Sequence, residues 1–209
     1  MSWRIAAFAG GLAALWLAIA SPVSHLDHHL LTAHMVQHLL LMLVAAPLIL
    51  IGMRSSLALP WRPNLAVCWL AGSLTVMIWH VPPIFELALR SSFWHAFEHA
   101  SFFVAGAVFW WPAVYFDPDS PSWSLPVYFF LATLPCDALS AFLVFCGYVV
   151  YPAYLPGHPH FGLSPLDDQA LAGALMWVVV TFAYLIPALI MTARLLSGSR
   201  RQPAQLLAS

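Results

Sequence analysis

Two histidine pairs stand out among the reactive side chains of this sequence. His34 and His38 are four residues apart in His34-Met-Val-Gln-His38, and His95 and His99 repeat the spacing in His95-Ala-Phe-Glu-His99. On a helix, residues i and i+4 share a face about 6 Å apart, near enough for two imidazoles to hold one ion. Both pairs belong to apolar segments. A neutral imidazole in hydrocarbon leaves one donor and one acceptor needing partners, so two such pairs call for a common explanation. We expect the pairs to meet. The plain alternative is a set of core histidines hydrogen-bonded to helix carbonyls.

Other residues extend the inventory. His80, in Trp79-His-Val-Pro-Pro83, falls where proline must end a helix, at the mouth of any bundle. It is either a further ligand or an interfacial histidine beside a tryptophan. Asp137 lies midway along an apolar run, where a carboxylate is costly unless paired, protonated or bound to a cation. It is expected at the metal site, orienting a ligand histidine or ligating directly, with hydrogen bonding to backbone freed by Pro135 as the alternative. Asp168 opens the last apolar run as a cap or a site residue. Met35, Met42 and Met77 lie near the histidines in sequence, and thioether with imidazole suits Cu(I) better than magnesium or calcium. His95-x-x-Glu98-His99, with Glu98 placed on the adjoining face, also matches an inverted zinc-peptidase pattern. No partner motif supports it, because His34-Met-Val-Gln-His38 lacks the glutamate of the zinc-protease helix. His158 and His160, with the Asp27-His28-His29 cluster, read as solvated loop residues or a loading site, and His25 stays unassigned.

These residues need a membrane bundle to position them. Of 209 residues, 62% are hydrophobic and 7% charged, against roughly 25% charged in a soluble domain. Nucleic-acid binding is excluded by a net charge of −1 without a basic cluster. Cys68, Cys136 and Cys146 show no paired spacing, so neither a disulfide framework nor a zinc knuckle is expected. Apolar runs divide the chain into six expected spans, at about 3–20, 28–51, 65–80, 94–115, 125–149 and 168–195, in one domain covering 1–209. The first also resembles a signal peptide, with Arg4, an apolar core and Ala18-Ile-Ala20, and we take it as a span. The fold class expected is an all-α bundle of six transmembrane helices. Six arginines (Arg4, Arg54, Arg62, Arg194, Arg200, Arg201) then share one side with both termini, and only Arg90 lies opposite. Positive residues stay inside, so both termini are expected in the cytoplasm. On that map all ten histidines fall in the outer half.

The motifs together resemble those of the CtaG-type cytochrome c oxidase assembly factors. The resemblance rests on His34 to Pro47, His80-Val-Pro82, His95-x-x-Glu-His99 with Phe109-Trp-Trp-Pro112, Tyr151-Pro152, Leu163 to Gln169, and Met176-Trp177, in order from about residue 21 to 195. It implies a multi-pass bacterial inner-membrane protein, not an enzyme, that helps assemble the copper-containing oxidase through copper delivery. By the family pattern His34, His38, His80, His95 and His99 carry over as metal ligands. On our own reading of the site, His80 or Met77 adds a further ligand to the two histidine pairs. The implied partners are oxidase subunits, a periplasmic copper donor and membrane lipid. The chain departs from the pattern in its compactness and in Cys136-Asp137. Two other classes remain open: a haem-binding or electron-transfer protein, in which facing histidines ligate iron axially, and a metal-free assembly scaffold.

Overall fold

The computed structural model describes residues 2–54, 64–115, 123–155 and 162–206, and among them every regular element is helical. Helix α1 (Ser2–Ile19) leads through a 3-10 turn (Pro22–His25) into α2 (Leu31–Leu39). A π-helical turn (Leu40–Ala45) joins α2 to α3 (Ala46–Met53) without a break. Then come α4 (Leu65–Trp79), α5 (Pro82–Arg90), α6 (Ser92–Val114), α7 (Ser124–Phe145), a second 3-10 turn (Pro152–Tyr154) and α8 (Pro165–Leu206).

Large apolar side chains face outward on α1, α7 and α8, among them Trp3, Phe130, Phe182 and Leu189. A bundle that shows such groups on its outside suits a multi-pass protein in lipid. Four helices are individually long and apolar enough to cross a membrane: α1, α2 with α3, α7, and α8. A fifth results if α4 and α5, bent by 76° at their junction, count as one span. This is fewer than the six expected. Helix α4 has only fifteen residues, and α6 carries His95, Glu98 and His99 in its first two turns. Helix α5 lies between the expected spans at 65–80 and 94–115. Val81 is extended (φ −67°, ψ 121°) ahead of Pro82, and the two prolines then start a new helix in the first positions that tolerate them.

Helices α2 and α6 run in the same direction and match rung by rung. His34 lies against Glu98, His38 against Phe102 and Met42 against Gly106, each step four residues on both helices. The approach at the third rung is very close. A Cβ added to Gly106 would sit 2.9 Å from both Cα and O of Met42. The π-turn explains what α6 gains there. Pro47 has no N–H to continue the α-helical ladder, and the Ala46 N–H reaches back five residues to the Leu41 carbonyl. The Met42 carbonyl is thereby released, and the Trp110 indole donates to it at 3.1 Å. Below this, Phe109, Tyr128, Phe129 and Tyr184 pack edge-to-face and offset between α6, α7 and α8.

Gly106→Ala should therefore overpack the α2–α6 contact, at a cost of about 1–3 kcal/mol. Gly147→Ala, at a position where an added Cβ meets nothing within 4 Å, is the control. Thermal unfolding of the detergent-solubilised protein should show a lowered midpoint for the first variant and an unchanged one for the second.

Candidate metal centre

Five histidines from three helices meet at the end of the bundle where α2 and α6 begin. His34 and His38 are 4.3 Å apart between ring centroids, as are His95 and His99. Across the helices His34 is 5.8 Å from His95 and 6.4 Å from His99, and His38 is 5.9 Å from His99. His80, at the end of α4, lies 6.2 Å from His38. Phe85 of α5 packs on His34 and Phe102 stacks on His38 at 3.8 Å, walling the rings.

Two carboxylates enter this cluster that were not expected in it. Glu98, on the same α6 face as His95 and His99, is completely buried, with its Oε1 3.4 Å from Nε2 of both His34 and His38. Asp27, just ahead of α2, is likewise completely buried, with Oδ2 3.2 Å from His95 Nε2. The sequence reading treated the Asp27-His28-His29 cluster as solvated loop or loading site, and for Asp27 the burial corrects the solvated alternative. The ligand atoms form two triads, Asp27–His34–His95 and His34–His38–Glu98, each within 4.8 Å and sharing His34.

The scaffold around the triads is held by residues far away in sequence. Asp168 does cap a helix, but α2 rather than its own. Its carboxylate accepts from Leu31 N at 2.6 Å, Thr32 N at 3.2 Å and the Thr32 hydroxyl at 2.6 Å. That fixes the start of α2 two residues before His34, and an anion there also opposes the positive end of the helix dipole. Gln169 beside it accepts from Val150 N and donates to the Tyr148 carbonyl, so it holds the loop after α7. That loop supplies two tyrosines: Tyr151 donates to the His80 carbonyl at 3.0 Å and Tyr154 to the Asp27 carbonyl at 2.7 Å. Burial, and then the neighbouring Asp27, push the Tyr154 phenol well above its ordinary range, keeping it a donor. On α6, Ser101 donates to the Glu98 carbonyl and accepts from the Trp79 indole.

The chemistry of this donor set fits a metal cation. Both ring nitrogens of His34 and of His38, both oxygens of Glu98 and of Asp27, and Nε2 of His95 and His99 are buried with no hydrogen-bond partner among the described residues. Buried polar groups are nearly always satisfied, and a carboxylate is the costliest to leave without partners. Tetrahedral coordination with bonds of about 2.1 Å places neighbouring donors about 3.4 Å apart, the separation seen between Glu98 and each histidine. A cleft of about 610 Å³ reaches the cluster from the surface, lined by His25, Asp27, His28, Arg90, His95 and His99 among others.

Two expected site residues lie elsewhere. Asp137 of α7 is half-buried and accepts from the Thr181 hydroxyl of α8 at 3.4 Å, so it belongs to neither triad. Met77 is 39% exposed on the outward side of α4, while Met35, one residue after His34, puts its Sδ 3.3 Å from His80 Nε2. His158 and His160 lie outside the described residues. The signal missed was the i, i+3, i+4 pattern of His95, Glu98 and His99: three positions that share one helix face.

Fold and site together define a helical membrane protein whose buried end gathers histidine and carboxylate donors. The chain matches the family described as cytochrome c oxidase caa3 assembly factor (Caa3_CtaG) over residues 1–74 and 61–197, most of its length. It belongs to that family, which is one of assembly factors and not of enzymes. Among curated proteins and solved structures, none matches.

Asp168→Ala should loosen the start of α2 by about 1–2 kcal/mol, the usual range for losing a helix cap. Hydrogen exchange should quicken at the Leu31 and Thr32 amides, and Asp168→Asn, which keeps an acceptor oxygen, should quicken them less. Unchanged exchange in the alanine variant would contradict the capping role.

Proposed function

We propose that this assembly factor binds copper as cargo at the His34–His38–Glu98 and Asp27–His34–His95 triads and delivers it to cytochrome c oxidase. The observation that carries the reading is the convergence of buried ligand atoms without hydrogen-bond partners on shared points between α2 and α6. Imidazole and carboxylate donors alone would accept several transition metals. The family's link to cytochrome c oxidase supports copper among them. Nε2 of His34 and of His38 converge on one Glu98 oxygen, which suits a small cation better than axial ligation of haem.

The membrane arrangement supports the same reading. Counting α4 with α5 as one bent span, and α6 as a span whose polar residues turn inward, gives six. The histidine end then faces outward from the bacterial cytoplasmic membrane, Arg4 and Arg54 lie at the opposite ends of α1 and α3, and Arg194 lies in the last third of α8. Copper reaches the triads from the periplasmic or extracellular side through the cleft, from a copper donor protein, and leaves to an oxidase subunit. His95 lines the cleft and is partly exposed, whereas Glu98 is sealed, so the ligands at the open end can exchange.

Purified protein loaded with copper should carry it in stoichiometric amount by metal analysis, and His34→Ala combined with His38→Ala should lose it. Glu98→Gln, nearly isosteric, should weaken Cu(II) binding tenfold or more. Absence of stoichiometric copper in the wild type, or equal loading of the double variant, overturns the reading. A Soret band in the purified protein would favour haem instead, and histidine variants that lose stability without losing copper would favour a metal-free scaffold.

A further inference from the structure

Beneath the triads the lining changes from oxygen to sulfur. His80 donates from Nδ1 to the Val76 carbonyl at 2.7 Å, because a carbonyl can only accept. In the neutral ring Nε2 is therefore the atom with the free lone pair, and 3.3 Å away it meets the Sδ of Met35, itself only an acceptor. Two lone pairs facing each other at that distance, both buried, have no proton to share. They lie on a small cavity of about 40 Å³ whose walls also include Met42, Cys136 and Met176. Its lining is otherwise nearly all apolar, with Leu39, Val76, Phe102 and Phe109 around the sulfurs.

We infer that His80 Nε2 and Met35 Sδ form a second, inner metal site, selective for a soft monovalent ion of the Cu(I) class. Three observations carry this. Nitrogen with thioether is a donor set that Cu(I) accepts and harder divalent ions do not favour. With metal–nitrogen and metal–sulfur bonds near 2.0 and 2.3 Å, a 3.3 Å separation subtends about 100°, an angle of three- or four-coordinate binding that leaves room for further ligands. The cavity wall offers Met42, Cys136 and Met176 for that purpose. Finally, the space exceeds the roughly 10–15 Å³ needed for one water-sized occupant, but its apolar walls cannot serve a hydration shell. An ion held there must be one that sheds water readily and bonds to sulfur.

The site lies beside the triads, since His38 lines the cavity and its ring is 6.2 Å from that of His80. It deepens the copper reading but is chemically separable from it. The triads contain carboxylate and no sulfur, and the inner pair contains sulfur and no carboxylate. Neither site requires a change in the oxidation state of its ion in order to bind.

The test uses the full chain in detergent, with Ag(I) as a redox-inert probe for the soft site and Zn(II) for the triads. X-ray absorption of the Ag(I)-loaded wild type should show sulfur in the coordination shell. Met35→Leu, close to isosteric, should lose that sulfur signal and weaken Ag(I) binding at least tenfold while leaving Zn(II) affinity unchanged. The retained Zn(II) binding reports that the variant is folded. If it is not retained, the absorption spectrum of the wild type still decides, since a shell without sulfur overturns the inner site. Glu98→Gln should do the reverse, weakening Zn(II) and sparing Ag(I). Unchanged Ag(I) binding and sulfur signal in Met35→Leu would overturn the inner site. Joint loss of both ions in Glu98→Gln would also overturn it, by showing a single centre. Ag(I) bound through Met35 in a protein that takes no Zn(II) or Cu(II) would support the inner site while counting against the triads.

Discussion

The constraint on which the rest of the structure depends is the burial of Glu98. A carboxylate with no solvent exposure and no hydrogen-bond donor among the described residues costs several kcal/mol unless positive charge compensates it. Among the described residues no arginine is paired with it, and the sequence has no lysine. The bundle surrounds the carboxylate with imidazoles, Nε2 of His34 and of His38 each lying 3.4 Å from the same Glu98 oxygen. Asp27 repeats the arrangement against His95. Holding two such acceptors side by side requires that the backbone around them not move, which accounts for the polar residues buried at this end.

Those residues explain why the motifs outside the histidines belong with them. Asp168 is part of the apparatus of α2 although it lies 136 residues from Thr32. Tyr151 fixes the carbonyl of His80, Tyr154 that of Asp27, and Gln169 the loop that carries both tyrosines. Trp110 takes the carbonyl that Pro47 and the π-turn release, keeping α6 parallel and close to α2 one turn below His38. The histidines supply donors, and these polar side chains supply their positions.

How much of this was legible in the sequence follows the range of the interactions involved. Helical type, apolar segments and the i, i+4 histidine pairs are local, so periodicity and composition reveal them. Glu98 was visible as a letter, but its inward turn depends on which side of α6 meets α2, a tertiary fact. Asp27 looked like a loop residue because nothing local announces that Tyr154 and α6 will cover it. Asp137 was placed near the site by depth along its helix. Depth says nothing of azimuth, and α7 turns it to Thr181. Met77 failed for the same reason: proximity to His80 in sequence is not proximity in space when the helix face points outward. The segment after Pro82 lay between expected spans because proline ends α4, whereas the same residues also begin a helix well.

The order of donors along α2 gives the arrangement a direction. From the open end inward, the chain presents Asp27, then His34 with Glu98, then His38, and beside them Met35 with His80. Both carboxylates are buried, and only His95 at the open end is partly exposed, while the sulfurs of Met35, Met42 and Met176 line the small cavity. A carboxylate is the natural first contact for a hydrated cation, because it attracts the ion before dehydration and tolerates bound water. Thioether sulfur rewards an ion only after its water has gone. On the copper-delivery proposal, such graded sites would let no single position hold the ion so completely that departure becomes the slow step. The parallel alignment of α2 and α6 permits this grading, since each four-residue step down one helix meets a matching step down the other, and the chemistry changes from rung to rung without a change in fold.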